Sequence, residues 1–323
     1  MSSIANILHQ FQSKRVLVIG DAMIDAYMWG EVNRMSPEAP VPIVEINKRE
    51  SRLGGAANVA LNIQSLGAIP VLFSSIGSDH YGDLFLKLMK EQNLSTEGIQ
   101  RISNRSTTVK TRIISDNKHV LRVDEEEVSM IQDEKIIECL KNLILTGTFD
   151  VIIFEDYNKG LLSEKLIQTA IEIATEKNIP TIVDPKKENF FAYKGVDIFK
   201  PNLKEIKEGM NVEFEVQSES DLSRYVEILR AKLNAKSILL TLSEHGIYYQ
   251  NRENIFREKA HKRSIVDVSG AGDTVVSVAA LALACQLNSE LLMRIANLAG
   301  GLVCEKVGVV PILKEDLLKA SLQ

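Results

Sequence analysis

The chain has 323 residues, 45% of them hydrophobic and 25% charged, with a formal net charge of −5. That length can bury a large core, so disorder is not the default; one big α/β domain, or one with a small appendage, is expected. The acidic balance argues against nucleic acid or an anionic membrane as the main partner, and no apolar stretch reaches transmembrane length.

In chain order, Met1 to Lys14 lacks a basic start followed by an apolar core, so no secretory signal is expected. Arg15 to Gly20 is apolar and rich in β-branched residues, and reads as a buried first strand. It runs into Gly20-Asp21-Ala22-Met23-Ile24-Asp25, which sets two carboxylates at a strand end. Tyr27 to Asn47 holds three prolines and short extended pieces. Gly54-Gly55-Ala56-Ala57-Asn58 then opens a helix expected over Ala56 to Leu66, with an amide side chain one turn in. A strand over Val71 to Ile76 and a helix from about Gly82 to Gln92 follow. Ile99 to Glu126 shows two strand-like runs, Thr108–Ser115 and Lys118–Val123, joined by the turn signal Asp116-Asn117. With segment 27–47 they predict a small sheet projecting from the main body. A lid over an active site is one reading of it, and an ordinary surface hairpin is the other.

Further on, strands are expected over Val151–Phe154, Pro180–Asp184, Asp197–Lys200 and Ser237–Leu242, and amphipathic helices over Ser163–Lys177 and Asp221–Leu233. Such alternation implies a mostly parallel sheet covered on both faces, with ligands gathered at the carboxyl ends of its strands. Pro201-Asn202-Leu203-Lys204-Glu205 puts an amide and a carboxylate three residues apart at a helix start, hence on one face. Taken singly, each of these segments reads equally as turn chemistry or helix capping. Cys139, Cys285 and Cys304 show no paired spacing and are expected as reduced core thiols of a cytoplasmic protein. The five His form no ligand or triad pattern.

The most informative segment is Asp267-Val268-Ser269-Gly270-Ala271-Gly272-Asp273, directly before the apolar run Thr274 to Ala284. The run reads as a buried helix, whose unpaired N–H groups and dipole make its N-terminus an anion site. Gly270 and Gly272 let the backbone approach a phosphate without a Cβ in the way. Asp273 has two readings: a base for a hydroxyl attacking phosphorus, or a plain helix cap. No Gly-Lys dipeptide occurs, which excludes a Walker P-loop, and Val275 stands where a dinucleotide fingerprint needs its third glycine.

In combination and order these segments resemble the ribokinase-like (PfkB) family of carbohydrate kinases, over essentially the whole chain from Val16 to about Gly308. Ser36-Pro37-Glu38-Ala39-Pro40-Val41-Pro42 with the later Gly-Gly-Ala-Ala-Asn-Val-Ala resembles the bacterial heptose 7-phosphate kinases of lipopolysaccharide inner-core synthesis. Asp156-Tyr157-Asn158-Lys159-Gly160, Asp184-Pro185-Lys186 and Thr241-Leu242-Ser243-Glu244-His245-Gly246 fit that subgroup too.

The resemblance implies one ribokinase-like α/β kinase domain over residues 1–323, with lid segments about 27–47 and 99–126. It implies ATP and Mg²⁺ as cofactors and a phosphorylated sugar as acceptor, while exposed lid strands point to a homodimer. Asp273 matches the catalytic base, with the amides of Gly270, Ala271 and Gly272 stabilising the transferred phosphoryl group. Asp21, Asp25, Gly54, Gly55 and Asn58 match positions that grip sugar hydroxyls. Asn202 and Glu205 match the motif associated with Mg²⁺ and the nucleotide phosphates, through water. Ser243 and Gly246 fall in the nucleotide loop, and Asn297 on the helix that completes the adenine pocket. An acceptor with its own phosphate needs cations. Lys110, Arg112 and Arg122 alternate along the lid strands, where a solvated basic face is the competing reading.

Two positions depart from the subgroup: Ser269 stands where Thr is common, and Glu155 where a small polar residue is expected. Many relatives carry a nucleotidyltransferase domain with a His-x-Gly-His motif that this sequence lacks, so the kinase step alone is expected. The rival functions are a kinase for ribose, fructose or a nucleoside, and a catalytically silent sugar- or nucleotide-binding regulator.

Overall fold

The computed structural model describes residues 4–116, 118–261 and 263–320. Asn117, half of the expected Asp116-Asn117 turn, lies outside the described residues. The first strand, β1 (Arg15–Gly20), is buried along nearly its whole length. Its alternating side chains divide between two cores. Val16 and Val18 pack on one face of the sheet with α1 (Ile4–Phe11), α2 (Ala56–Ser65), α8 (Ala271–Ala284) and α9 (Ser289–Val303). Leu17 and Ile19 pack on the other with α4 (Glu134–Thr146), α5 (Glu164–Glu176) and α7 (Glu219–Leu233). A strand covered on both faces has no polar side to show, which is why its sequence is apolar without alternation.

The main sheet has nine strands in the order β13-β12-β11-β10-β9-β8-β1-β4-β5. From β5 to β11 every pairing is parallel: β5 (Ile99–Ile102), β4 (Ile69–Gly77), β1, β8 (Val151–Glu155), β9 (Thr181–Asp184), β10 (Ile198–Phe199) and β11 (Ser237–Thr241). β12 (Ile247–Asn251) and β13 (Ile255–Glu258) close that edge as an antiparallel meander. The mostly parallel α/β sheet is the architecture expected from the alternating pattern, but the meander and α4 escaped the sequence reading. β13 carries no fully buried residue, so it has little hydrophobic pattern to read.

A separate four-stranded sheet has the order β3-β2-β6-β7. Its strands are β2 (Ala22–Met35), β3 (Pro42–Gly55), β6 (Val109–Ser115) and β7 (Lys118–Glu125). The expected boundaries need correction at both segments. β2 and β3 run well beyond 27–47, so Asp25 and Gly54-Gly55 belong to the small sheet itself. β5, inside the expected 99–126 segment, pairs with β4 in the main sheet. The thiols also differ from expectation: Cys139 is exposed and the other two are only half-buried. Cys285 and Cys304 lie at the ends of α8 and α9, beyond the last packed turn. Among the described residues no helix is long and apolar enough to cross a membrane.

Candidate active site

The carboxyl ends of β1, β8, β9 and β10 and the N-terminus of α8 gather Asp21, Glu155, Asp184, Lys200 and Asp273. The helix begins three residues before the expected Thr274, because Gly270 takes φ 79 and turns the chain into Ala271. Gly270 is therefore the N-cap, without a side-chain cap, and Asp273 sits inside the first turn. That geometry removes the plain-cap reading. The Asp273 carboxylate accepts the Asn58 amide at 2.7 Å and the Tyr157 hydroxyl at 2.8 Å. Burial raises its pKa above the ordinary carboxylate range, although both hydrogen bonds pull it down. Of the three expected amides, that of Ala271 already donates to the Val268 carbonyl at 3.3 Å. Among the described residues, the Gly270 and Gly272 amides have no such acceptor.

A band of charge lies beside this turn. Lys200, almost wholly buried, pairs with Asp184 at 2.9 Å. Lys186 pairs with Glu205 at 2.5 Å and stands 3.9 Å from Asp184. Burial works against the Lys186 charge, but the carboxylates of Asp184 and Glu205 outweigh it and the pKa rises. A Cβ on Gly272 would come 3.4 Å from Asp184 Oδ2 and 3.8 Å from Lys200 Nζ. The bare glycine thus leaves the helix N-terminus open toward the Asp184–Lys200 pair.

Glu155 is the exception in this band. It is fully buried, and neither carboxylate oxygen has a hydrogen-bond partner. Burial, then the charges of Asp184 and Asp273, pushes its pKa well up. A raised acid pKa favours folding only while the group is protonated; that advantage fades as pH rises from the unfolded value near 4.5 through the folded pKa. Glu155→Gln removes the titration at nearly constant shape. Urea midpoints of the two proteins are expected to diverge in favour of the Gln variant as pH rises. A wild type that stays the more stable across that range would mean an ionised, paired Glu155.

Other sequence-predicted residues fall into three groups. Asp25 is buried and ion-paired with Arg112, whose guanidinium also lies over the Tyr27 ring at 5.4 Å. Gly54 is required there, since a Cβ would stand 2.2 Å from Asp25 Oδ2; Gly55 takes φ 58 just before α2. Lys110 bonds Asp124 at 2.9 Å and Glu126 at 3.0 Å, and Arg122 bonds Asp124 at 2.9 Å. Arg112 and Arg122 are register partners, so they share one face of the small sheet. All three expected phosphate-binding cations thus already hold carboxylates.

Asn202 and Glu205 form a reciprocal capping box at the start of α6 (Leu203–Met210), with bonds of 2.9 and 2.8 Å. The helix-capping half of their sequence reading is therefore realised, and Glu205 additionally holds Lys186. Ser243, at φ 53, and Gly246, at φ 90, shape the tight turn between β11 and β12. Asn297 lies on α9 and donates to the Lys259 carbonyl at 2.9 Å. Asp21, expected among the sugar ligands, accepts backbone N–H groups of Tyr157, Lys159 and Leu161. Tyr157, Asp184, Lys186 and Lys200 received no role from sequence reasoning. The first three lie inside segments that the resemblance alone singles out as motifs, and Asp184 and Lys200 also read as strand ends.

A family model described as "pfkB family carbohydrate kinase" matches residues 13–316. The chain belongs to the pfkB family of carbohydrate kinases. By family it is an ATP-dependent carbohydrate kinase. Similar curated proteins include the bifunctional protein HldE of Desulfatibacillum aliphaticivorans, 40% identical over 97% of this chain and 64% of that protein. HldE of Aliarcobacter butzleri is 39% identical over 91% of this chain and 61% of that protein. The kinase chain thus spans under two thirds of the length of these relatives. Phosphofructokinase-2 from Escherichia coli in complex with fructose-6-phosphate shares the fold at TM-score 0.78 and 18% identity, over 96% of this chain and 99% of that one. Arabidopsis thaliana ribokinase complexed with ribose and ATP does so at TM-score 0.73 and 18% identity, with the same coverage. The ribokinase-like fold of this kinase, with its small separate sheet, is that of these neighbours.

Proposed function

We propose that this kinase transfers the γ-phosphoryl group of ATP to the anomeric hydroxyl of D-glycero-β-D-manno-heptose 7-phosphate. The observation that carries the chemistry is Asp273, a buried carboxylate with raised pKa inside the first turn of a glycine-opened helix. It takes the proton of the attacking hydroxyl, and each of its oxygens keeps a lone pair beyond those used by Asn58 and Tyr157. The Gly270 and Gly272 amides, with Lys186 and Lys200 beside them, meet the charge that develops on the phosphoryl oxygens. Asp25, Gly54, Gly55 and Asn58 border the sugar, while the 243–246 turn and Asn297 border the nucleotide.

The residues fit a hydrated Mg²⁺, an ion that keeps several waters and takes one or two carboxylates plus substrate phosphates. Glu205, with each oxygen engaged once, retains lone pairs for such waters, and Asn202 stands beside it. When bound, the ion neutralises charge on the phosphates. The small sheet acts as a lid that excludes water and limits wasteful hydrolysis. Its exposed Leu121 and Val123 favour a second copy of the chain as partner, and cytoplasmic residence belongs to the same reading.

The choice of acceptor rests on the motif resemblance to heptose 7-phosphate kinases and on the likeness to the HldE proteins. A phosphate on the acceptor gives Lys110, Arg112 and Arg122 an anion to exchange for their present carboxylates, in contacts worth about 1.5–3 kcal/mol each. These contacts form in the ground state, so their loss appears chiefly in KM. Initial rates with heptose 7-phosphate, unphosphorylated heptose, fructose and ribose at matched Mg·ATP test this. A preference for the phosphorylated sugar that Arg112→Ala and Arg122→Ala selectively weaken is expected. Faster turnover of ribose or fructose, indifferent to both substitutions, would make this a generic sugar kinase.

A further inference from the structure

Asp21 is 3% exposed, and its carboxylate is engaged by the backbone of the loop that follows β8. Oδ2 accepts the Tyr157 and Lys159 N–H groups, each at 3.0 Å, and Oδ1 accepts that of Leu161 at 3.3 Å. Two carboxylate oxygens offer about four acceptor positions, so three are already used. The same loop is pinned from its other sides. Asp156 Oδ1 accepts the Asn158 N–H at 2.8 Å, Arg105 donates to the Lys159 carbonyl, and Ile131 N–H donates to the Gly160 carbonyl at 2.9 Å. Asn158 takes φ 54, a left-handed conformation that carries a steric cost for a residue with a Cβ, and Gly160 takes φ 88, which a glycine adopts freely. What this loop delivers is one side chain. The Tyr157 hydroxyl donates to Asp273 Oδ1 at 2.8 Å, while Lys186 stands 5.5 Å over the Tyr157 ring.

We propose that Asp21 acts on phosphoryl transfer through Tyr157, anchoring the 157–161 loop that lays the tyrosine hydroxyl on Asp273, and does not grip the sugar. Tyr157 orients the base by fixing one of its oxygens, and Asp21 is a positioning residue one step further back. The inference rests on the reading of Asp273 as the base. The tyrosine bond also restrains the burial-raised pKa of Asp273, so removing the hydroxyl raises it further.

The test combines Asp21→Asn, Tyr157→Phe and the double variant. Kinetics use whichever acceptor of the four-sugar panel the wild type turns over fastest. Tyr157→Phe is expected to lower kcat by about 10–100-fold, the range for a hydrogen bond to a charged group. The sugar KM holds, and the acidic limb of kcat/KM moves to higher pH. Asp21→Asn is expected to speed hydrogen exchange at the amides of Tyr157, Lys159 and Leu161 and to lower kcat in the same way. Added to Tyr157→Phe it costs little more, roughly within twofold, because the two residues act in series. Independent, multiplying effects or a selective rise in sugar KM for Asp21→Asn would overturn the proposal. So would unchanged exchange at the three amides, a readout that needs no substrate. Failure of all four sugars to react would refute the acceptor reading instead, while the exchange result still decides the anchor. If Asp21→Asn does not fold, Tyr157→Phe decides alone, and an unshifted acidic limb refutes the link to Asp273.

Discussion

Asp273→Asn is expected to lower turnover by about 10²–10⁴-fold while leaving ATP binding largely intact. The amide keeps the size of the side chain and one oxygen to accept from Asn58 or Tyr157, so the local packing survives. On the proposed reading it loses the ability to take the proton of the attacking hydroxyl. Because that function is exercised in the transition state, the loss falls on kcat and kcat/KM together. Steady-state rates with a direct ATP-binding measurement check it. Turnover near wild type would strip Asp273 of the role of base, and its place inside the first turn leaves no capping role to fall back on.

Lys200→Met is expected to be the most damaging single change to stability away from the apolar core. Lys200 has a 2% exposed side chain and holds Asp184, itself 7% exposed, at 2.9 Å. Removing one partner of a buried pair leaves the other charge uncompensated, at a cost of about 3–5 kcal/mol. Lys186 at 3.9 Å offers Asp184 partial relief, which places the expectation at the lower end. A lowered urea midpoint at pH 7 is the readout. Replacing Asp184 by Asn in the same background removes the orphaned charge and is expected to recover part of the loss. A single variant as stable as wild type would mean that Asp184 draws its compensation elsewhere.

Much of this molecule was legible in the order of its residues. Apolar runs such as Arg15–Gly20 and Val151–Phe154, alternating with amphipathic helices, point to a parallel sheet because both faces of such strands must be covered. The Gly270-Ala271-Gly272-Asp273 turn before an apolar helix marks the helix N-terminus at the candidate site, since backbone freedom and an exposed amide cluster are local properties. Local patterns stop at contacts made across the chain. The boundaries of the small sheet depended on pairing partners: β2 begins at Ala22 because Gly55 lies opposite it in register. Tyr157 meets Asp273 across 116 residues, and Asp21 reaches the Tyr157 amide across 136. Asp21 and Asp25 look alike in sequence, two carboxylates four residues apart. Their uses diverge because Asp21 stops at the end of β1 beneath the 157–161 loop, whereas Asp25 is carried up β2 to Arg112. Glu155 stands out in sequence only as a departure from the subgroup, and no residue beside it in the chain foretells its burial without a partner. Propensity, turns and caps are short-range and show in the sequence; which charge meets which donor is decided by tertiary packing, where desolvation sets the energy of every buried polar group.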